Sequence, residues 1–453
     1  MRRFGLALFA SGLCLAAQAQ EDLLDRLLNP DSSDLGSASV AGLSADPQAL
    51  ADQISAELVR LRGLPFNEEI AVSNQSIAEF EAYLDQEMER AIPAERAAVF
   101  GRIAMKLGLY NGPVIEDAGS MIRQLATSQV AAYYDPDQSE FYVLLANAPL
   151  SLLAPIYAHE LYHGLQDQHF DLDAYLLDGM ENGLNDDELL ARQSVVEGEA
   201  TYIMNLWTME QAMGRTPPRW VVSATVLMQS MLSTSALSAL AGSDFLTGEI
   251  GEEMAASAQE LDEMPAFMIE TMIGAYMKGM AFVHAIAADG WDNVERLYSD
   301  PPQSTEQILH PRKWLERDEP VLIGFPGLAD EPVLSDWDLL ETNVIGEFQW
   351  RIIFGEFGQR ARSAGLAAGW DGDRYAVFER GNELLLLLRT TWDSEVDAQE
   401  FTAAYQELLA VKYAEVEMSM LVEQQEQDVL IVEGGDRDRL DDYLAILQRA
   451  TTR

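Results

Sequence analysis

Cysteine is nearly absent from this sequence. The one thiol among 453 residues, Cys14, falls inside the opening apolar run. A chain without that run has no disulfide and no thiolate site, so its stability rests on its core and on any metal held by other ligands. Cationic residues are also few. Lys plus Arg number 29 against 75 Asp plus Glu, a formal net charge of −46. That field repels polyphosphates and anionic lipid, which argues against nucleic-acid binding and polybasic membrane association. Solubility is its plain consequence; recruitment of cationic substrates or divalent metal is the sharper one. Histidine is scarcer still, with five in the chain, so a regular spacing among them carries weight. Long apolar runs are missing too. The run from Phe4 to Ala17 is shorter than the roughly 20 residues that a permanent anchor needs. Residues 221–243 carry no charge but hold many Ser and Thr plus Gln229. Those polar groups are costly in lipid, so no stable transmembrane span is expected. A helical hairpin over a cleft, or an apolar docking surface, suits that stretch better.

What is present divides the chain. Arg2 and Arg3 precede the apolar run, and Ala17-Gln18-Ala19 has the small-x-small form of a cleavage site. Residues 1–19 are expected to be a secretory signal peptide, making the protein exported, periplasmic or extracellular. Leu13 stands where lipoprotein processing wants a small residue before Cys14, so lipidation is not expected. Residues 20–47 form a flexible leader, rich in Ser, Asp, Gly and Pro from position 29. Helical spacing follows over 48–62, 75–90 and 94–108. The runs 129–134 and 140–145, on either side of Asp135-Pro136-Asp137, have the β period and predict a hairpin. Beyond residue 330 a helix is predicted over 336–362, then a hairpin of 374–380 and 384–391 about Gly381-Asn382. A helix over 394–413, strands near 416–421 and 429–433, and a last helix from 436 complete it. The fold class expected is α+β: a mainly helical core with a short sheet over 48–330, and a smaller α+β domain over 331–453. That second domain carries no catalytic constellation; its roles are structural packing or the docking of a substrate or protein partner.

The chemistry sits at His159-Glu160-Leu161-Tyr162-His163. Two histidines four residues apart lie one above the other on a helix, so both imidazoles can reach one zinc ion without strain. Glu160 lies about 100° round the helix from His159, beside the metal but not on it, where it can take a proton from water. Zinc brings the pKa of such water to about 7. Tetrahedral catalytic zinc needs a third protein ligand and one open position. No further histidine follows at a short ligand spacing, and His169 comes six residues after His163. Val195-Val196-Glu197-Gly198-Glu199-Ala200-Thr201 lies in a second helical stretch. Its two glutamates point about 200° apart, so one alone faces the metal. Glu197 is the choice and Glu199 the alternative, with Gly198 letting the two helices approach.

These phrases resemble the gluzincin type of zinc metallopeptidase, which includes thermolysin and aminopeptidase N. In the aminopeptidase form of the motif, the glutamate before the glycine is the ligand, and that match places the role on Glu197. Tyr134-Asp135-Pro136, the stretch from His159 to Phe170, Ser304 to Pro311 and Gly369 to Tyr375 resemble a little-characterised family of exported bacterial gluzincin-like proteins, over most of 55–410. The resemblance implies a zincin-like core, Zn2+ as cofactor, a peptide or protein substrate, and residues 140–145 as the edge strand offered to that substrate. One departure matters: Thr201 stands where thermolysin-like proteins carry an acid four residues after the ligand, so an acid that orients a histidine must come from elsewhere, with Asp167 the candidate. For the donor to the developing oxyanion, His310, with Arg312 near it, and Tyr276 are the candidates. The expected reaction is hydrolysis of a peptide bond. Two other classes compete: a non-proteolytic envelope binding or assembly protein that keeps zinc for folding, and a zinc hydrolase of a non-peptide amide.

Overall fold

The computed structural model describes residues 42–91, 94–113, 115, 117–144, 148–178, 183–231 and 264–453. The expected signal peptide, most of the expected leader, and residues 232–243 of the uncharged stretch lie outside the described residues.

Helix α1 (Pro47–Arg62) is entered through Asp46, whose carboxylate accepts the Ala49 N–H, and closed by Gly63 at φ +83°. Leu50, Ile54 and Leu58 recur every fourth residue on its buried face, and Arg62 continues the same stripe. Strand β1 (Ala71–Asn74) and helices α2 (Ile77–Ala91), α3 (Ala94–Leu107) and α4 (Ala118–Gln129) follow, then strands β2 (Ala132–Asp135) and β3 (Glu140–Val143). The β-period runs do form a hairpin, yet the sheet order is β1-β3-β2, with β3 parallel to β1 and antiparallel to β2. The strand expected at the edge is therefore the central one. Both of its hydrogen-bonding sides are taken, and it has none to offer a substrate. A four-residue strand 66 positions upstream of its partner leaves no local signal of that pairing.

Three helices build the core. From Leu152 to Gln166 every residue of α5 (Leu150–Phe170) is buried, so this helix is enclosed on all sides rather than amphipathic. It packs against α6 (Asp186–Met213), which Asn185 caps by accepting the Glu188 N–H at 2.9 Å. Helix α7 (Arg219–Ser230) precedes α8 (Ala266–Ile286), which crosses α6 backbone to backbone. A Cβ on Gly198 would lie 2.1 Å from the Gly279 carbonyl carbon, and one on Gly279 would lie 2.0 Å from the Ser194 oxygen. A Gly198→Ala variant is accordingly expected to lose about 1–3 kcal/mol in denaturant melts, because the helices must part. The stretch Ala266–Asp289 is long and apolar enough to cross a membrane by length and composition, but 61% of its most apolar window is buried inside the fold. It is placed as a core helix.

Short helices α9 (Trp291–Ser299), α10 (Thr305–Leu309) and α11 (Pro311–Glu316) and strand β4 (Ile323–Gly324) lead to the C-terminal unit. Its elements are β5 (Asp338–Asn343), α12 (Gly346–Phe354), α13 (Ser363–Ala367), β6 (Trp370–Arg380), β7 (Glu383–Trp392), α14 (Glu395–Lys412), β8 (Met420–Gln425), β9 (Asp428–Glu433) and α15 (Leu440–Gln448). Strand β10 (Thr451–Thr452) pairs back on β4. The helix expected over 336–362 is thus a strand, then a helix from 346: β5 is an edge strand whose one sheet partner among the described residues, β6, begins 27 positions after it ends (370 − 343). The sheet is antiparallel in the order β5-β6-β7-β9-β8. Val377, Leu386, Leu388 and Ile431 face α12 and α14, while Phe378, Leu385, Leu387 and Val432 face α15. With helices on both faces, the middle of β7 needs apolar residues at successive positions, and Leu384 to Leu388 supply them.

The joint between the two parts is polar and buried. Asp187, in the first turn of α6, accepts the Thr305 N–H at 3.1 Å and the Thr305 hydroxyl. Gly346, at φ +80°, passes so close that a Cβ there would lie 1.8 Å from Asp187 Oδ1. Asp373 accepts the Ile345 and Gly346 N–H groups and the indoles of Trp350 and Trp370. The Ser304–Pro311 and Gly369–Tyr375 phrases, without evident chemistry in the sequence, meet in this joint. Burial raises the Asp187 carboxyl to about 8. The folded state then holds a proton that the unfolded chain releases near pH 4, so the group lowers stability as pH rises from about 4 to 8, by at most about 1.4 kcal/mol per unit. Melts across that range are expected to slope less for Asp187→Asn than for the wild type, with the variant the more stable at pH 8.

Candidate metal centre

Helix α5 presents His159 and His163 to Glu197 of α6, and all three side chains are buried. The two Nε2 atoms lie 3.0 Å apart, and each is 3.3 Å from Glu197 Oε2. The imidazole planes meet at 86°, each edge turned to the same point. Bonds of ~2.0–2.1 Å directed to tetrahedral corners space their donor atoms by about 3.3 Å, so this triangle fits a small divalent cation. Other features agree with such a cation. His163 Nδ1 lies 2.8 Å from Gln166 Oε1, which holds a proton on Nδ1 and turns a bare Nε2 lone pair inward in the neutral ring. Glu197 Oε1 and His159 Nδ1 have no hydrogen-bond partner among the described residues. Burial lowers the His159 pKa to about 4. For His163 burial acts in the same direction, but the Glu197 carboxylate outweighs it and raises the ring to about 9. The Glu197 pKa is itself lowered, against the effect of burial, by the two histidines.

Glu160 stands beside this triangle. One of its oxygens accepts the Tyr134 N–H of β2 at 3.1 Å, and burial raises its pKa to about 8. The contact ties the His-Glu-x-x-His helix to the short sheet through one carboxylate oxygen. Gly164 brings the sheet this close: a Cβ there would lie 2.1 Å from Ile70 Cδ1 and 3.1 Å from the Tyr134 ring. Tyr276, from α8, stacks over His159 with ring centroids 5.8 Å apart. With Glu197 it lines a cavity of about 260 Å³.

Glu199 faces the other way, as two residues of helix require. Its carboxylate accepts from Arg62 Nε at 2.8 Å, Tyr162 at 2.7 Å, Tyr298 at 2.6 Å and Gln166 Nε2 at 3.2 Å. Gln166 also donates to the Val196 carbonyl and is bonded to Tyr298. A chain of contacts therefore runs from Arg62 through Glu199 and Gln166 to His163.

Two expected residues stand elsewhere. His310 Nε2 lies 3.1 and 3.0 Å from the two Glu347 oxygens, and Arg351 binds the same carboxylate. The ring nitrogen is thus paired with a carboxylate of the C-terminal unit. Asp167 accepts from Tyr134 OH and the Leu172 N–H, and the residue orienting His163 is the neighbouring Gln166. The sequence reading missed Arg62, Gln166, Tyr162 and Tyr298. The first had a signal, a charge at the fourth position of an apolar stripe. Tyr298 had none.

A family model described as a domain of unknown function (DUF8575) matches residues 337–444. These residues hold the five-stranded sheet and its covering helices, and the match excludes the His159–His163–Glu197 group. No curated protein and no solved structure matches the chain.

Proposed function

We propose that this protein is an exported zinc-dependent peptidase of the gluzincin type, with His159, His163 and Glu197 as ligands and Glu160 as general base. The observation that carries the reading is the triangle of 3.0, 3.3 and 3.3 Å between two imidazole nitrogens and one carboxylate oxygen. Three protein ligands leave a fourth position open, as catalytic zinc requires. Zinc held by these three residues would supply Lewis acidity and a water that is nucleophilic at neutral pH. Glu160, fixed at one oxygen by the Tyr134 N–H, takes the proton at its other oxygen and passes it to the leaving amine. Tyr276 is the remaining candidate for a donor to the developing oxyanion, since its ring stacks on His159 and lines the adjoining cavity.

A second reading is a structural zinc site in a non-proteolytic envelope protein. The burial of all three ligands favours it; the absence of a fourth ligand among the described residues and the cavity at Glu197 weigh against it. Elemental analysis of the purified protein tests what the two readings share. One zinc per chain is expected in the wild type, and a stoichiometry near zero for His163→Ala. Wild-type protein without zinc, after refolding in its presence, removes both.

A further inference from the structure

The C-terminal sheet ends in two edge strands, β5 and β8, and they are finished differently. A bulge between Leu339 and Glu341 breaks the register of β5, a device that spoils an edge for further pairing. Strand β8 pairs with β9 without a register shift and holds no proline, lysine or arginine. Its free side can be read residue by residue. Gln425 and Asp428 pair across a two-residue turn, and the Gly434 N–H donates to the Ser419 carbonyl at 2.7 Å. Both contacts fix Ser419, Leu421, Glu423 and Gln425 as the positions bonded to β9. Met420, Val422 and Gln424 therefore turn their N–H and C=O groups outward. Among the described residues no hydrogen bond reaches those main-chain groups.

The side chains divide in the same way. Val422 packs toward α14 and Leu421 toward α15, so Met420 shares the α14 face and Glu423 the α15 face. Val416 is 57% exposed and Met420 36%, which leaves an apolar row open at this edge. From Tyr413 to Asp436 the chain has one cation, Lys412, only at its threshold, and none within. Ion pairs from elsewhere engage Glu417, Asp428, Glu433 and Asp436. Glu415, Glu423 and Glu426 are left without a cation among the described residues. A second copy brings the same acids and another formal charge of −46; a cationic strand is the complementary occupant. We infer that β8 receives an extended cationic segment of another protein, continuing the antiparallel order of the sheet, with apolar side chains over Met420 and Val422 and alternate Lys or Arg side chains beside Glu423. Main-chain bonds to Met420, Val422 and Gln424 supply affinity, and the alternation supplies selectivity. This edge lies within the residues that the family model covers, and its use does not depend on the chemistry of the metal centre.

The test uses the Glu160→Gln full chain, so that a peptidase leaves the probe whole, and follows the fluorescence anisotropy of a labelled Lys-Val-Lys-Val-Lys-Val-Lys amide. That probe is expected to bind, and its counterpart with Glu in place of Lys to bind at least about tenfold more weakly. In this pairing the valine N–H groups point at β8 and the lysine N–H groups point away. N-methylation of the valines is expected to weaken binding at least about tenfold, and N-methylation of the inner lysines to change it less than about threefold. Glu423 has Gln425 as its hydrogen-bond partner; Glu423→Lys is expected to weaken the lysine probe about tenfold at an unchanged melting temperature. Absence of binding, or equal losses from the two methylated probes, overturns the inference, and the methylated pair decides it even if Glu423→Lys does not fold. Equal affinity of the folded Glu423→Lys chain overturns it as well. Self-association in sedimentation that the probe competes away also overturns it, in favour of a second copy at this edge.

Discussion

Replacing Glu160 by Gln is expected to lower kcat/KM on a peptide substrate by ~10²–10⁴-fold while leaving one zinc per chain. The side chains have nearly the same shape, and the amide oxygen can still accept the Tyr134 N–H that Glu160 accepts at 3.1 Å. Glu160 contributes no donor to the ligand triangle, so the substitution removes basicity and little else. The carboxyl is held up at about 8 by burial; a dication held by the neighbouring ligands would favour its ionised form, which is the form a general base needs. The loss corresponds to about 3–5 kcal/mol of transition-state stabilisation. Steady-state kinetics beside elemental analysis and a thermal melt decide it. An unchanged rate at full zinc occupancy sinks the role of Glu160, and loss of zinc shows that the residue holds the metal after all. A structural site, by contrast, predicts a variant with unaltered stability and partner binding.

The ligand group was legible in the sequence because helices turn two spacings into geometry. Four residues put His159 and His163 on one face, and two residues send Glu197 and Glu199 to opposite faces, with no knowledge of the rest of the chain. The α+β class and the hairpin about Gly381-Asn382 were similarly open to reading from local sequence, as the strands β6 and β7 show. What stayed hidden depends on distant partners. The middle position of β3 follows from β1, which is four residues long and has no β alternation. The strand β5 follows from its pairing with β6. His310 looked exposed and reactive in a Ser-Thr-Glu-x-x-x-His-Pro phrase, but its fate is set by Glu347, 37 residues on in another unit. The acid sought to orient a histidine was found as an amide, Gln166, one turn from the ring it holds, because Glu199 binds that amide's other end. A search for carboxylates alone passes over it.

That arrangement makes Arg62 a stronger determinant of the site than its distance in sequence suggests. Arg62 and Glu199 form an ion pair with both side chains buried, exposed by 1% and 0% respectively, and the guanidinium also lies 4.6 Å over the Trp291 ring. Arg62→Leu keeps the apolar stripe of α1 intact but leaves Glu199 charged and unpaired in the core, an expected cost of about 3–5 kcal/mol in denaturant unfolding. Adding Glu199→Leu to that variant is expected to restore much of the stability, since the uncompensated charge is gone. It should not restore the metal site. Gln166 loses its carboxylate partner in the double variant and keeps only its bonds to the Val196 carbonyl and Tyr298, so its hold on His163 Nδ1 is loosened and zinc affinity, measured by chelator competition, is expected to fall about tenfold. The two readouts separate packing from positioning. If stability and zinc affinity return together in the double variant, the chain of contacts from Arg62 to His163 serves the fold alone. If stability returns and affinity does not, the polar chain is retained in an otherwise apolar core for the geometry of one imidazole.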